Sequence, residues 1–170
     1  MQDASGKCPD PIKKLKEGAC DGILLAAAGL KRLGIEEGEE WRFIRLSPEQ
    51  FLPAGGQGIL AVETKADTEA HRLCSQIDCR SSRLCLTAER SVLETLQAGC
   101  HAPVAVYANL FEEDGETKLR LRGINGPEHA SQLTDAELKN KIRRVDLCGT
   151  LSEISVTTLA DQAGKGLLWP

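Results

Sequence analysis

Two alternating apolar runs joined by a tight turn constrain this chain more than any other stretch. Val104-Ala-Val-Tyr-Ala-Asn-Leu-Phe111 alternates, turns through Glu113-Asp-Gly115, and returns as Lys118-Leu-Arg-Leu-Arg122. A period of two on either side of Asp-Gly marks an antiparallel hairpin. Just upstream, Leu84, Ala88, Val92, Leu93 and Leu96 recur at helical spacing, and Gly99 is expected to supply the left-handed residue that closes this helix. Near the end, Val156, Leu159 and Ala163 define a last helix over residues 154–168, whose end Gly164 and Gly166 should loosen. A hairpin cannot bury its apolar face alone, so residues 79–170 are expected to form an α+β domain with both helices on one face of an antiparallel sheet.

The first part of the chain has a different rhythm. Residues 1–11 hold Gly, Ser, Asp and two prolines without an apolar period and read as a loose leader. A short helix from Ile12 leads to Ile23-Leu-Leu-Ala26, a continuously apolar run typical of a strand buried on both faces of an α/β layer. A helical turn over 28–33 follows, then a shorter strand over 41–46 and a turn with Ser47 as N-cap and Pro48 at the first helical position. Residues 1–52 are therefore expected to be a partial α/β domain. Three glycines in Pro53-Ala-Gly-Gly-Gln-Gly58 suggest a crossover, after which 59–63 read as a strand and 68–77 as a helix. The glycine phrase lacks the Gly-Lys-Ser/Thr ending of a phosphate loop and the spacing of a dinucleotide fingerprint.

Composition excludes several function classes. A net charge of −4 with interspersed signs and only 4% aromatic residues offer neither a basic face nor stacking platforms for nucleic acid. The longest apolar run, 23–28, is far short of the roughly 20 residues a membrane helix requires, and the start of the chain has no signal-peptide pattern, so a cytoplasmic protein without membrane partners is expected. Seven cysteines without paired CxxC spacing argue for reduced thiols, not a disulfide framework. Cys74, Cys79, Cys85, Cys100 and His101 are spaced too irregularly for a zinc ribbon, and no metal site is expected.

Cys100 stands out among these thiols. It follows a helix and its glycine stop and precedes the first strand of the hairpin. A helix macrodipole is negative at this end, so cationic side chains elsewhere in the fold would have to lower its pKa. The phrase Thr87-Ala-Glu-Arg90, a helix, then Gly99-Cys-His-Ala-Pro103 resembles the cofactor-attachment segment of the hydroxymethylbilane synthase (porphobilinogen deaminase) family. Asp21-Gly-Ile-Leu-Leu-Ala-Ala-Ala-Gly-Leu-Lys-Arg-Leu-Gly34 and Leu52-Pro-Ala-Gly-Gly-Gln-Gly58 agree with the same family in order and spacing. The resemblance runs from about Ile12 to beyond Arg122, weakens toward the C-terminus, and covers the second half of the family's usual length.

That resemblance implies a transferase of porphyrin and heme biosynthesis, which polymerises porphobilinogen into a linear tetrapyrrole. It implies a dipyrromethane cofactor held covalently through a thioether at Cys100, Arg32 against substrate carboxylates, and Gln57 reaching the cofactor cavity. Porphobilinogen and the growing oligopyrrole would be its partners, with a separate amino-terminal chain as a further one. Residues 53–78 would return to the family's first domain, and 141–147 would be the third strand of the sheet. Thr134-Asp-Ala-Glu137 has capping-box spacing, and Leu138, Ile142 and Val145 would equally line a helix there; the strand is favoured.

The departures matter as much. Where the family carries two arginines for pyrrole carboxylates, this chain has Ser5 and Pro11, and the acid–base aspartate belongs to the half without a counterpart here. Asp21 opens a strand and Asp78 sits in a linker, so neither replaces it. The alternative is therefore a catalytically inactive remnant that serves only as a folded interaction domain.

Overall fold

Ala88 and Val92, one helical turn apart, are both fully excluded from solvent, and they mark the face on which the larger part of the molecule is assembled. The computed structural model describes residues 9–39, 41–99, 101–151 and 156–168. These divide into two compact units, with the boundary between Leu46 and Ser47.

The first unit holds α1 (Pro9–Lys16) and α2 (Ala27–Arg32). Pro11 is buried in the first turn of α1, where a proline loses no intrahelical hydrogen bond. The Lys16 ammonium lies 4.4 Å from the centroid of the Trp41 ring, a cation–π contact. The apolar runs 23–26 and 41–46 do not form the expected strands, nor does 59–63 in the second unit. A strand is defined by its ladder of hydrogen bonds, and none of these runs meets a partner among the described residues. They leave Leu24 at 67%, Ile44 at 82% and Leu60 at 80% exposure, far above what a strand buried on both faces would show.

The second unit begins with α3 (Glu69–Cys74), capped by the Thr68 hydroxyl, which accepts the His71 N–H at 3.2 Å. There follow α4 (Arg80–Thr95), β1 (Val104–Glu113), β2 (Glu116–Asn125), α5 (Asp135–Lys141), β3 (Arg143–Thr150) and α6 (Val156–Leu167). The sheet is antiparallel with order β1-β2-β3, so β1 is an edge. Asp114 and Gly115 both have positive φ (56° and 78°), the two-residue turn whose twist suits a hairpin. Val106, Ala108, Leu119 and Leu121 face α4 and α6 and close the core with Leu159, Ala160, Ala163 and Leu167. The α+β domain with helices on one face is thus observed.

Residues 135–147 resolve into both readings in succession. Thr134 and Glu137 form a reciprocal capping box that starts α5, and the chain then straightens at Ile142 into β3. Two further expectations are corrected. The left-handed residue after α4 is Gln97 (φ 50°), not Gly99: the Ala98 N–H reaches Leu93 O at 2.9 Å and the Gln97 N–H reaches Glu94 O at 3.0 Å, the double bond of a Schellman turn. Nor do the glycines loosen α6. A Cβ at Gly164 would stand 2.7 Å from Thr95 Cβ, and one at Gly166 would stand 2.8 Å from Val145 Cγ1. Both glycines let α6 approach its neighbours closely, and the helix runs through them to Leu167.

Candidate functional site

Strand β1 and the glycine loop 53–58 are brought together by one side chain, Glu89. It projects from the middle of α4 and is 4% exposed. One carboxylate oxygen accepts the Gly56 N–H at 2.6 Å and the other accepts the Ala108 N–H at 2.8 Å. Burial pushes its carboxyl above the usual range, and the Ala108 and Gly56 amides pull against that rise. Pro53 O accepts the Val106 N–H at 3.1 Å, so consecutive outward amides of the edge strand are covered, one by the loop's carbonyl and one by the carboxylate.

The loop itself is shaped by its glycines at two points. Gly56 has φ 79°, a conformation that side chains rarely adopt, and a Cβ at Gly55 would lie 2.9 Å from Leu93 Cδ1. The loop therefore lies directly on α4. Gln57, between these contacts and Gly58, is exposed.

The expected site residues fall in different places. Cys100 lies outside the described residues, between Gly99 and His101, both of which are exposed. Arg32 ends α2 in the first unit, is exposed, and makes no ion pair among the described residues. Asp78 is bound to Arg83 at 2.5 Å, an ion pair that ties up its carboxylate. Among the described residues no group of His, Cys, Asp and Glu could hold a metal ion. No helix there is long and apolar enough to cross a membrane.

A dipyrromethane with acidic side chains would call for a soft nucleophile and a cation, and the chain carries residues of those kinds: Cys100, Arg32, which makes no ion pair among the described residues, and the exposed Gln57. Two of the other described thiols differ in direction. Cys79 precedes α4, accepts the Ser82 hydroxyl at 3.3 Å and stands 3.1 Å from Ser81 Oγ; these bonds, Ser81's foremost, bring its thiol down to about 7. Burial, helped by the nearby Glu89 carboxylate, pushes Cys85 up.

Glu89 is the buried polar residue that sequence reasoning passed over. Its signal was present: Leu86, Glu89, Leu93 and Leu96 share one helical stripe, so a carboxylate stands in an apolar face.

Comparison with known proteins agrees with these features. Residues 1–72 match the family model described as porphobilinogen deaminase, dipyromethane cofactor binding domain, and residues 83–153 match that described as porphobilinogen deaminase, C-terminal domain. Arg32 and Gln57 fall in the first match and Cys100 in the second. A porphobilinogen deaminase of Roseiflexus sp. is 36% identical over 169 residues, which are 99% of this chain and 52% of that protein. A protein of Methanosarcina barkeri named probable porphobilinogen deaminase is 43% identical over 166 residues, 95% of this chain and 51% of its own length. A Coxiella burnetii porphobilinogen deaminase is 36% identical over 145 residues, 78% of this chain and 46% of its own. The chain spans about half the length of the curated relatives it matches. With two family models covering most of its residues in sequence order, this chain belongs to the porphobilinogen deaminase family.

Proposed function

We propose that this chain is the cofactor-bearing carboxyl-terminal part of a cytoplasmic hydroxymethylbilane synthase, the transferase that polymerises porphobilinogen into a linear tetrapyrrole. The observation that carries this reading is the ordered pair of family matches, the second of which contains the Cys100 phrase. When bound, the dipyrromethane supplies a nucleophilic pyrrole carbon on which the chain of pyrroles grows. Cys100 holds it: loss of ammonia from porphobilinogen leaves an electrophilic exocyclic methylene, the thiolate forms a C–S bond there, and the thiol proton passes to solvent. A thioether survives repeated cycles where an ester would hydrolyse. The planar guanidinium of Arg32 binds substrate carboxylates bidentately, and Gln57 offers its amide to the cofactor.

Alone, the chain is inactive in this reading. Pro11, at a position where an arginine is expected, is buried in α1, and Asp78 is committed to Arg83. A separate amino-terminal chain supplies the missing groups and takes up the exposed runs around Leu24, Ile44 and Leu60. The same exposed runs favour one second reading, a catalytically inactive remnant that acts as a folded interaction domain. Mixing the chain with the amino-terminal half of the Roseiflexus relative and porphobilinogen separates the two. Porphobilinogen consumption that requires both chains supports the enzyme; complex formation without consumption supports the remnant.

A further inference from the structure

We propose that the outer face of the three-stranded sheet carries a binding site for a small 2-hydroxy carboxylate, whose carboxylate seats side-on against Arg122 and whose hydroxyl donates to Asn109. Among the described residues only two buried side-chain polar atoms lack a hydrogen-bond partner, Arg122 Nε and Asn109 Oδ1. One is a donor and the other an acceptor, so a group that offers both would meet the pair. A buried polar atom left unmet costs free energy, and folds leave few of them without a reason. The two atoms also share a surface. Ala108, Leu119 and Leu121 belong to the core, so Asn109 and Arg122, their neighbours along the strands, point to the opposite face. Asn109 stands opposite Arg120, and Tyr107 stands opposite Arg122. Asn109 and Arg122 are therefore diagonal neighbours, about 7 Å apart where their side chains begin, a span that suits a ligand of a few atoms.

Arg120, two residues along the same strand, shows how a guanidinium on this face is filled. Asp146 takes its Nε–H at 2.7 Å and its Nη2–H at 2.6 Å, a side-on fork. Arg122 is more deeply set, at 9% exposure, yet its bond among the described residues runs from Nη1 to Glu49 Oε1 at 2.6 Å. Nη1 lies at the end of the guanidinium away from the Nε–H. The Nε–Nη2 edge of Arg122, which on Arg120 is taken by Asp146, therefore has no acceptor among the described residues. Asp146 stands directly opposite Arg122 in register but turns both its oxygens to Arg120. The side chains of Glu49, Arg120 and Asp146 face solvent, so they can move aside for a ligand at this edge. A carboxylate supplies two coplanar oxygens for the fork, and a hydroxyl on the adjacent carbon supplies the donor for Asn109 Oδ1. A plain carboxylate leaves the Asn109 acceptor unmet, and a plain alcohol leaves half of the fork unmet.

The test uses the full chain, isotope-labelled on nitrogen, and follows the arginine Nε–H resonances by NMR while sodium lactate, sodium propionate or sodium chloride is added. Propionate has the same carbon frame as lactate without the hydroxyl. Lactate should move the Arg122 Nε–H resonance to saturation, with a dissociation constant about tenfold below that of propionate, because propionate leaves a buried acceptor unmet. The Arg120 Nε–H should stay in place throughout, since Asp146 holds it. Asn109→Ala should weaken lactate to the level of propionate and leave propionate unchanged. Arg122→Lys removes the resonance and so identifies it. Equal affinity for lactate and propionate, or equal shifts at Arg120 and Arg122, overturns the proposal. So does the lack of a saturable shift with lactate, which would mean that water alone meets the two atoms. If Asn109→Ala does not fold, the wild-type comparisons of lactate with propionate and of Arg122 with Arg120 decide the matter.

Discussion

Glu89 and Gly56 meet at 2.6 Å, a carboxylate oxygen against a backbone amide whose residue has φ 79°. The amide that Glu89 holds thus belongs to a residue whose backbone angle side chains rarely adopt. Gly56→Ala should therefore lose about 1–2 kcal/mol of stability from the strained angle. Urea unfolding of the two proteins measures this, and an unchanged midpoint would contradict the loop conformation.

The core of the second unit lies between α4, α6 and the sheet. Leu121→Ala, at a fully buried position on β2, should cost about 2–5 kcal/mol. Leu60→Ala, at a position 80% exposed, should change stability by less than about 0.5 kcal/mol. Comparable losses at both positions would mean that the 59–63 run is packed in this chain on its own.

Gly164 tests the approach of α6 to α4. An alanine there gains about 1 kcal/mol of helix propensity but places its Cβ 2.7 Å from Thr95 Cβ, on a stiff β-branched neighbour. Overpacking of this kind costs about 1–3 kcal/mol, so Gly164→Ala should be net destabilising. A rise in melting temperature would show that the helices stand farther apart.

The helix and the hairpin were legible because their signals are local, whereas the third strand was expected only from the family resemblance. Leu84 to Leu96 keeps the period of a helix, and Asp114-Gly115 specifies a turn. The runs at 23–26, 41–46 and 59–63 carry strand composition, yet pairing depends on partners distant in sequence, and none is supplied by the described residues. Gln97 rather than Gly99 closes α4 because the helix ends at Thr95, two residues before the glycine could act. The thiol and the arginine are singled out by the family phrase alone, whereas the bonds of Glu89 to Gly56 and Ala108 were not legible: nothing local says which amides a buried carboxylate will meet.

Cys79 should be the most readily alkylated of the described thiols. With its pKa near 7, about half of it is thiolate at neutral pH. The iodoacetamide rate at Cys79 should rise through a midpoint near 7, whereas half-buried Cys85 should respond only at higher pH. Ser81→Ala removes the foremost hydrogen bond and should move the Cys79 midpoint upward. An unmoved midpoint would contradict that cause.

The central claim is that Cys100 carries the pyrrole primer. Intact-mass measurement followed by peptide mapping, after incubation with porphobilinogen and an amino-terminal half from a relative, tests it most directly. The account predicts two added pyrrole units on the peptide containing Cys100, a colour reaction with an aldehyde reagent, and neither in Cys100→Ser. An unmodified wild-type mass, or pyrrole units mapped to another cysteine, would contradict it.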